Sequence, residues 1–321
     1  MNYQQLTLKQ RYQIEAGIGT GMRKNEIARE IGVHRSTVYR EIRRNSNLRL
    51  AGYRAISAFA AASDRHEQKK KRCIEEATWV RVKSLLKKLW SPEQISNRLK
   101  LEDRGAISHE SIYLYVYTNK KKGGELYKHL RRQHVNRKRN GKYYNRKGWD
   151  TRRSISERPA VVDERSRLGD WEADTIVGRR QKGSILSVVE RSSRFLLLEK
   201  LDDRSPETLA DAVSRILGPI KDDVLTITSD NGFEFRSHQR IASDLNADFF
   251  FADPYSSWQR GTVENTNGLV RQYIPKGSDF NSFSKDYVRL IAHTLNNRPR
   301  KVLNYRTPNE VFFNHFVALI T

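Results

Sequence analysis

The sequence predicts a multidomain protein: all-α helix-turn-helix modules at the N-terminal end, followed by an α/β domain on a mixed five-stranded sheet. Three observations predict it. The whole net charge of +23 lies in residues 1–153, which hold 37 Lys and Arg against 14 Asp and Glu, whereas residues 154–321 hold 23 against 23. Apolar residues recur with a helical period through the basic part, and from Ser154 onward short β-rich runs alternate with helical ones. A basic arm on a neutral domain is the electrostatic footprint of a nucleic-acid-binding segment joined to a domain with other work, because each Lys or Arg placed on a phosphate releases condensed counterions.

The 321 residues suffice for two or three domains, and 37% hydrophobic with 10% aromatic residues can build their cores. Cys73 is the single cysteine, which excludes a disulfide framework or a Cys-based zinc site within one chain and points to a reducing compartment. No apolar run approaches the roughly 20 residues that span a bilayer, and the start MNYQQLTLKQRYQ lacks the apolar core of a signal peptide. A basic membrane-surface protein would carry large apolar residues opposite its basic ones on an amphipathic helix, and no segment has that pattern. The expectation is a soluble, intracellular protein.

In TLKQRYQIEAGI, Thr7 and Gln10 stand in capping-box spacing, and Leu8, Tyr12, Ile14 and Ile18 are expected to form the inner stripe of a helix. In RKNEIAREIGVHRSTVYREIRRN, Ile27 and Ile31 make an apolar face, Gly32 permits a tight turn, and a short helix over about residues 35–44 turns Val38 and Ile42 inward. One helix braces and the next enters the major groove. Arg35, Ser36, Thr37, Tyr39, Arg40, Arg43 and Arg44 are the candidate DNA contacts, being residue types that meet phosphates and base edges. His34 reads as a turn residue beside that helix, and the eight histidines show no zinc spacing. A second module follows, in which Ser91, Pro92 and Gln94 start a helix with Ile95 and Leu99 inward, and Ser108 caps another through Ile112 and Val116. Its turn LEDRGAI is long for the motif, and Glu110 sits on its second helix. Residues 119–153, with 14 Lys and Arg interleaved with Tyr127, Tyr143, Tyr144 and Trp149, read as a basic linker that tracks DNA and in part orders on it. The expected domains are therefore 1–50, 51–118 and, after the linker, 154–321.

In the last of these, RLGDWEADTIVG is a strand candidate and KGSILSVVERSSRFLLLEKL two strands around a turn. SPETLADAVSRILGPI is a helix opened by Ser205 and Pro206, DDVLTITSDNG a buried strand ending in an Asn-Gly turn, SHQRIASDLNA a helix and DFFFADP a short strand. That order suits a mixed sheet flanked by helices. Three acids then fall at meaningful places: Asp174 on the first strand, Asp230 at the end of the fourth, and Glu264 at the start of the helix after the fifth. If the first and fourth strands are neighbours, the aspartates lie side by side and Glu264 comes over them; three oxygen donors beside a basic arm suit Mg²⁺ and phosphate chemistry. Asp170 and Glu172 share a strand face with Asp174, so spacing alone leaves any of the three as the ligand. Glu234 is another candidate for the third ligand, although a loop acid after a turn reads more simply as structural.

GDWEADTIVG, TSDNGFEF, PYSSWQRGTVENTNGLVRQYIPKG and NNRPRKVLNYRTPNEVF resemble the bacterial insertion-sequence transposases of the thirty family, members of the retroviral-integrase-like DDE class, and the resemblance runs through almost the whole chain. Glu264 lies 34 positions after Asp230, similar to the separation in that class. Ala173, Ser257 and Val263 depart from the family's commoner Gly, Pro and Asn; none removes a carboxylate. The resemblance implies a ribonuclease-H-like catalytic domain and selects Asp174, Asp230 and Glu264 as catalytic residues and ligands of two Mg²⁺ ions, with Mn²⁺ substituting. It implies cleavage at the 3′ ends of the terminal inverted repeats followed by strand transfer into target DNA. Trp258, Gln259, Arg260, Asn265, Asn267 and Arg271 would shape the DNA side of the site. It further implies a cytoplasmic, nucleoid-associated protein working at least as a dimer on double-stranded DNA, with no membrane. A DNA-binding transcriptional regulator with an inactive integrase-like domain, or a nuclease without strand transfer, are the competing readings; the regulator would survive loss of Glu264.

Overall fold

The computed structural model of the protein describes residues 5–47, 52–67, 74–131, 151–254 and 256–320. The expected linker aromatics Tyr143, Tyr144 and Trp149, and Cys73, lie outside the described residues. Contacts divide the chain into two compact units, residues 1–75 and 76–321.

In the first unit, helix α1 (Leu8–Gly19) begins with the expected capping box of Thr7 and Gln10. Helices α2 (Lys24–Glu30) and α3 (Arg35–Asn45) form the helix-turn-helix, with Gly32 between them at φ 68°, where a side chain would be strained. Ile14, Ile27 and Val38 are its core. The expected inner stripe of α1 is corrected at two positions: Tyr12 and Ile18 are exposed, and Arg11 is buried in their stead. The guanidinium is accommodated because Glu41 Oε1 accepts from its Nε at 2.7 Å and the Leu6 carbonyl accepts from its Nη1. Helix α4 (Ala55–Glu67) packs on α1, with Glu15 accepting from the Ala55 amide at 2.9 Å. It thus groups with the helix-turn-helix, although the boundary expected at residue 50 assigned it to the second module.

The second unit opens with helices α5 (Glu76–Lys87), α6 (Pro92–Leu101) and α7 (His109–Lys121), cored by Leu86, Ile95, Leu99, Ile112 and Val116. Helix α6 starts at the expected Ser91–Gln94 box. Arg98 of α6 forks onto Glu310 at 2.7 and 2.5 Å, and Gln94 bonds the Pro299 carbonyl at 2.6 Å and Arg298 at 3.0 Å. These bonds fasten the helical module to the C-terminal part of the unit.

After a one-turn helix α8 (Val161–Glu164), strands β1 (Asp170–Val177), β2 (Ser184–Glu190) and β3 (Leu196–Leu201) form an antiparallel meander. Strands β4 (Thr226–Ser229) and β5 (Asp248–Phe251) add parallel to β1, giving the order β3-β2-β1-β4-β5, the ribonuclease-H-like arrangement of a mixed five-stranded sheet. Trp171, Ala173 and Val188 pack one face against α9 (Pro206–Leu217), α10 (His238–Leu245) and Phe312 of α13 (Pro308–Ile320). Ile176, Ile185 and Leu198 pack the other against α11 (Gly261–Val270) and α12 (Lys285–Asn296). Alternation along β1 therefore sends Trp171 and Ala173 one way and Asp170, Glu172, Asp174 and Ile176 the other, toward α11. Among the described residues no helix is long and apolar enough to cross a membrane.

Candidate active site and DNA-reading face

The parallel pairing of β1 with β4 sets Asp170 against Thr226 and Glu172 against Thr228, so that two residues further on Asp174 comes opposite Asp230, where β4 has ended. Both carboxylates meet one cation. Arg260, buried at the start of α11, places Nη1 3.4 Å from Asp174 Oδ1 and Nη2 3.4 Å from Asp230 Oδ2. Asn267 donates to the other oxygen of Asp174 at 2.8 Å, and the Gly232 amide donates to Asp230 at 2.9 Å. A Cβ at Gly232 would lie 2.9 Å from that Asp230 oxygen and 2.8 Å from Glu234 Oε2, so a side chain there would push one of the two carboxylates aside. Burial pushes the Asp174 carboxyl up to about 6; the Arg260 charge opposes this and the Asp230 charge adds to it.

The other acids of β1 are spoken for. Asp170 accepts from Arg167 at 3.0 and 3.1 Å and from Thr226 at 2.8 Å. Glu172 is fully buried, accepting from Arg191 at 3.0 Å and from the Val263 amide in the first turn of α11 at 2.8 Å. Glu234, the rival for third ligand, is buried too, and Thr175 and Arg204 donate to the same oxygen at 2.6 and 2.9 Å. Burial raises its pKa, but these donors and its own amide outweigh that and leave it below the ordinary value.

Glu264 is exposed in the first turn of α11. Its neighbours on that helix face, Arg260 four residues before and Asn267 three after, are the two that touch the aspartates, so the face is the same. Among the described residues, however, no three His, Cys, Asp or Glu side chains are gathered closely enough to hold a metal ion. The structure brings Asp174 and Asp230 together and leaves Glu264 on the adjoining helix surface. The two hard oxygen donors already share a cation, which fits a divalent metal ion.

Residues 2–45 match the family described as a helix-turn-helix domain. Over 309 residues, 96% of this chain and 95% of its own length, the transposase for insertion sequence element IS4351 of Bacteroides fragilis is 44% identical. The transposase for IS1086 of Cupriavidus metallidurans is 36% identical over 96% of this chain and 94% of its own. Transposase InsI for IS30A of Escherichia coli is 34% identical over 95% of this chain and 82% of its own. The chain belongs to the thirty family of insertion-sequence transposases. Among solved structures, the catalytic core domain of BIV integrase aligns with 48% of this chain and 99% of its own at 20% identity and a TM-score of 0.38.

The helix-turn-helix of this transposase carries the expected DNA contacts on its second helix. Arg35, Tyr39, Arg40, Arg43 and Arg44 are exposed on α3, with Ser36 and Thr37 half-buried beside them. His34 caps the helix by accepting from the Ser36 amide, Arg40 donates to the Ser36 hydroxyl at 2.8 Å, and Lys24 lies 5.0 Å over the Tyr39 ring. Around α11 the expected DNA-side residues separate. Trp258 stands 74% exposed, whereas Gln259 is tied to Asp253 by two bonds of 2.8 Å. Arg260 and Asn267 serve the aspartates, and Arg271 donates to the Val177 carbonyl at 3.0 Å while stacking 5.1 Å from the Phe280 ring centre. Sequence reasoning missed the clasp of Arg260 on both aspartates; its place four residues before Glu264, on the same helix face, was the available signal.

Proposed function

We propose that this transposase binds the terminal inverted repeats of its element, cuts DNA at the 3′ ends and transfers those ends into target DNA. The observation that carries the reading is the convergence of Asp174 and Asp230, from neighbouring parallel strands, on a single cation. In this reading Asp174 and Asp230, joined by Glu264, would hold two divalent ions of the Mg²⁺ type. When bound, such ions stabilise the entering and leaving oxygens of an in-line phosphoryl displacement. Asn267 orients Asp174, the Gly232 amide orients Asp230, and Glu172 holds the first turn of α11 so that Glu264 faces them. A water oxygen attacks the phosphodiester at the transposon end, a proton leaves the water, and the 3′ oxygen departs as a hydroxyl. That hydroxyl attacks a target phosphodiester, whose own 3′ oxygen leaves. The helix-turn-helix reads the repeat, the α6–α7 module extends the recognised site, and Trp258 stacks on DNA near the cut. Two ends must be held together, so at least a dimer assembles on DNA.

The test is cleavage and joining of labelled DNA carrying the element's flanking repeats, with Mg²⁺, by the wild type and by Asp230→Asn and Glu264→Gln. Both variants are expected to bind the DNA as well as the wild type and to lose cleavage and joining by about 10³-fold or more, the scale of several kcal/mol of lost charge stabilisation. Undiminished cutting by Glu264→Gln would remove Glu264 from the site. Binding without cutting by the wild type would favour a DNA-binding regulator.

A further inference from the structure

A recess of about 270 Å³ opens beside α11, lined by Arg165, Arg194, Arg300 and Val302 and, on the helix, by Thr262, Asn265 and Thr266. At 3.6 residues per turn these helix positions lie on the other flank from Glu264, Asn267 and Arg271, with exposed Gly268 and the recess edge at Gly261 on the ridge between. The lining holds three guanidiniums and, among the described residues, no carboxylate. Arg194 donates to the Thr262 hydroxyl at 2.7 Å, which turns it toward the first turn of the helix. Arg300 is 8% exposed and donates to the Leu295 carbonyl at 3.1 Å. The Nε atoms of Arg194 and Arg300 are buried with no hydrogen-bond partner.

Burial, then the nearby charge of Arg298, with Arg131 and Arg194 further on, pushes Arg300 down to about 9, against the opposing pull of Tyr273. Burial and the charge of Arg165 push Arg194 down to about 10, with Glu172 and Glu190 pulling the other way from outside the recess. Clustered, partly desolvated cations with no carboxylate in the recess itself repel one another, and an anion seated among them relieves that repulsion.

We propose that this recess is a phosphate subsite that holds a backbone phosphodiester of bound DNA, with the strand crossing the ridge of α11 between the recess and the carboxylate pair. A helix is about 10–12 Å across with its side chains, so at 3.4 Å of rise per nucleotide the two positions are roughly three nucleotides apart. The inference rests on the DNA chemistry proposed above, but it is tested apart from it.

The experiment uses the full-length protein and two probes, a duplex carrying the terminal repeat and inorganic phosphate. Two variants leave the buried framework alone: Arg165→Gln removes an exposed charge, and Val302→Glu, at a side chain 69% exposed, puts a carboxylate on the rim. In both, the slope of log affinity against log salt is expected to fall by about one, the signature of one lost phosphate contact. Phosphate is expected to raise the Tm of the wild type and to raise that of Val302→Glu less. A phosphate response lost in the variants with an unchanged DNA slope would make the recess a free-anion site and overturn the DNA assignment. No change in either readout would overturn the subsite altogether. Asp230→Asn, run alongside, separates the two readings: if it keeps cutting DNA, the active-site reading fails while the recess result stands.

Discussion

Glu172 is a single buried carboxylate that meets an open amide at the start of α11. α11 starts after Arg260 with no side-chain cap, and the Val263 amide, one of the first-turn donors without an acceptor inside the helix, is met by Glu172 from β1 at 2.8 Å. Arg191 holds the other oxygen at 3.0 Å. Replacing Glu172 by Gln breaks a buried ion pair and is expected to destabilise the protein by about 3 kcal/mol, the low end of such losses. Asp163, 3.1 Å from Arg191, still answers part of the charge. Cleavage at saturating DNA is expected to fall while DNA affinity holds, because only the seat of Glu264 is loosened; an unchanged unfolding midpoint and rate would show that Glu172 anchors nothing. Residue spacing could not single out Asp174, since a period of two puts Asp170, Glu172 and Asp174 on one face. What separates them is place and partner: Arg167 and Thr226 take Asp170, Arg191 takes Glu172, and Asp174, held by Arg260 and Asn267, lies at the open end beside Asp230.

Helix starts were legible because capping is local chemistry within four residues of chain, as at Thr7–Gln10, Ser91–Gln94 and Ser205–Pro206. The faces of those helices were less so. On α1 the apolar period pointed Tyr12 and Ile18 inward, yet Arg11 takes the buried position because Glu41, thirty residues away, neutralises it. Strand edges likewise depend on distant partners. Asn296 of α12 reaches across to the edge strand β3, accepting from the Leu196 amide at 2.9 Å and donating to its carbonyl at 2.8 Å, both out of water. Asn296→Leu would leave two peptide groups buried and unmet, and is expected to lower stability by about 2–4 kcal/mol. Urea unfolding measures it, and a midpoint matching the wild type would mean that water reaches this edge.

For the second unit as a whole, the fork of Arg98 on Glu310 ties the α5–α7 module to the C-terminal part of the unit. The Arg98 hydrogen bonds, and after them the Thr307 amide, bring the Glu310 carboxyl down to about 2 from the ordinary 4.5, against the effect of burial. A depressed carboxylate lends stability that is present in full above its unfolded value and is lost as pH falls through its folded one. The stability difference between the wild type and Glu310→Gln should therefore be full above about pH 4.5 and fade toward pH 2, as followed by thermal melts across that range. A difference independent of pH would mean that the fork carries no net charge interaction. The division at Glu75 and Glu76 belongs to this scale as well: α4 follows the helix-turn-helix because Glu15 and the core around Ala58 hold it.

The sequence by itself determined the helix-turn-helix, the order of strands and helices, the segregation of positive charge and the family, because capping, periodicity and charge are written in short stretches of chain. The mixed sheet was legible for the same reason. Only the tertiary structure decided which acids meet. The crossover that lays β4 beside β1 pairs Asp174 with Asp230 across 56 residues. The close approach of α11 to β1 then inserts Arg260 between them and binds Val263 to Glu172. The recess of arginines is of the same kind: Arg165, Arg194 and Arg300 stand far apart in the chain and become one positive site only when three loops close around the start of one helix.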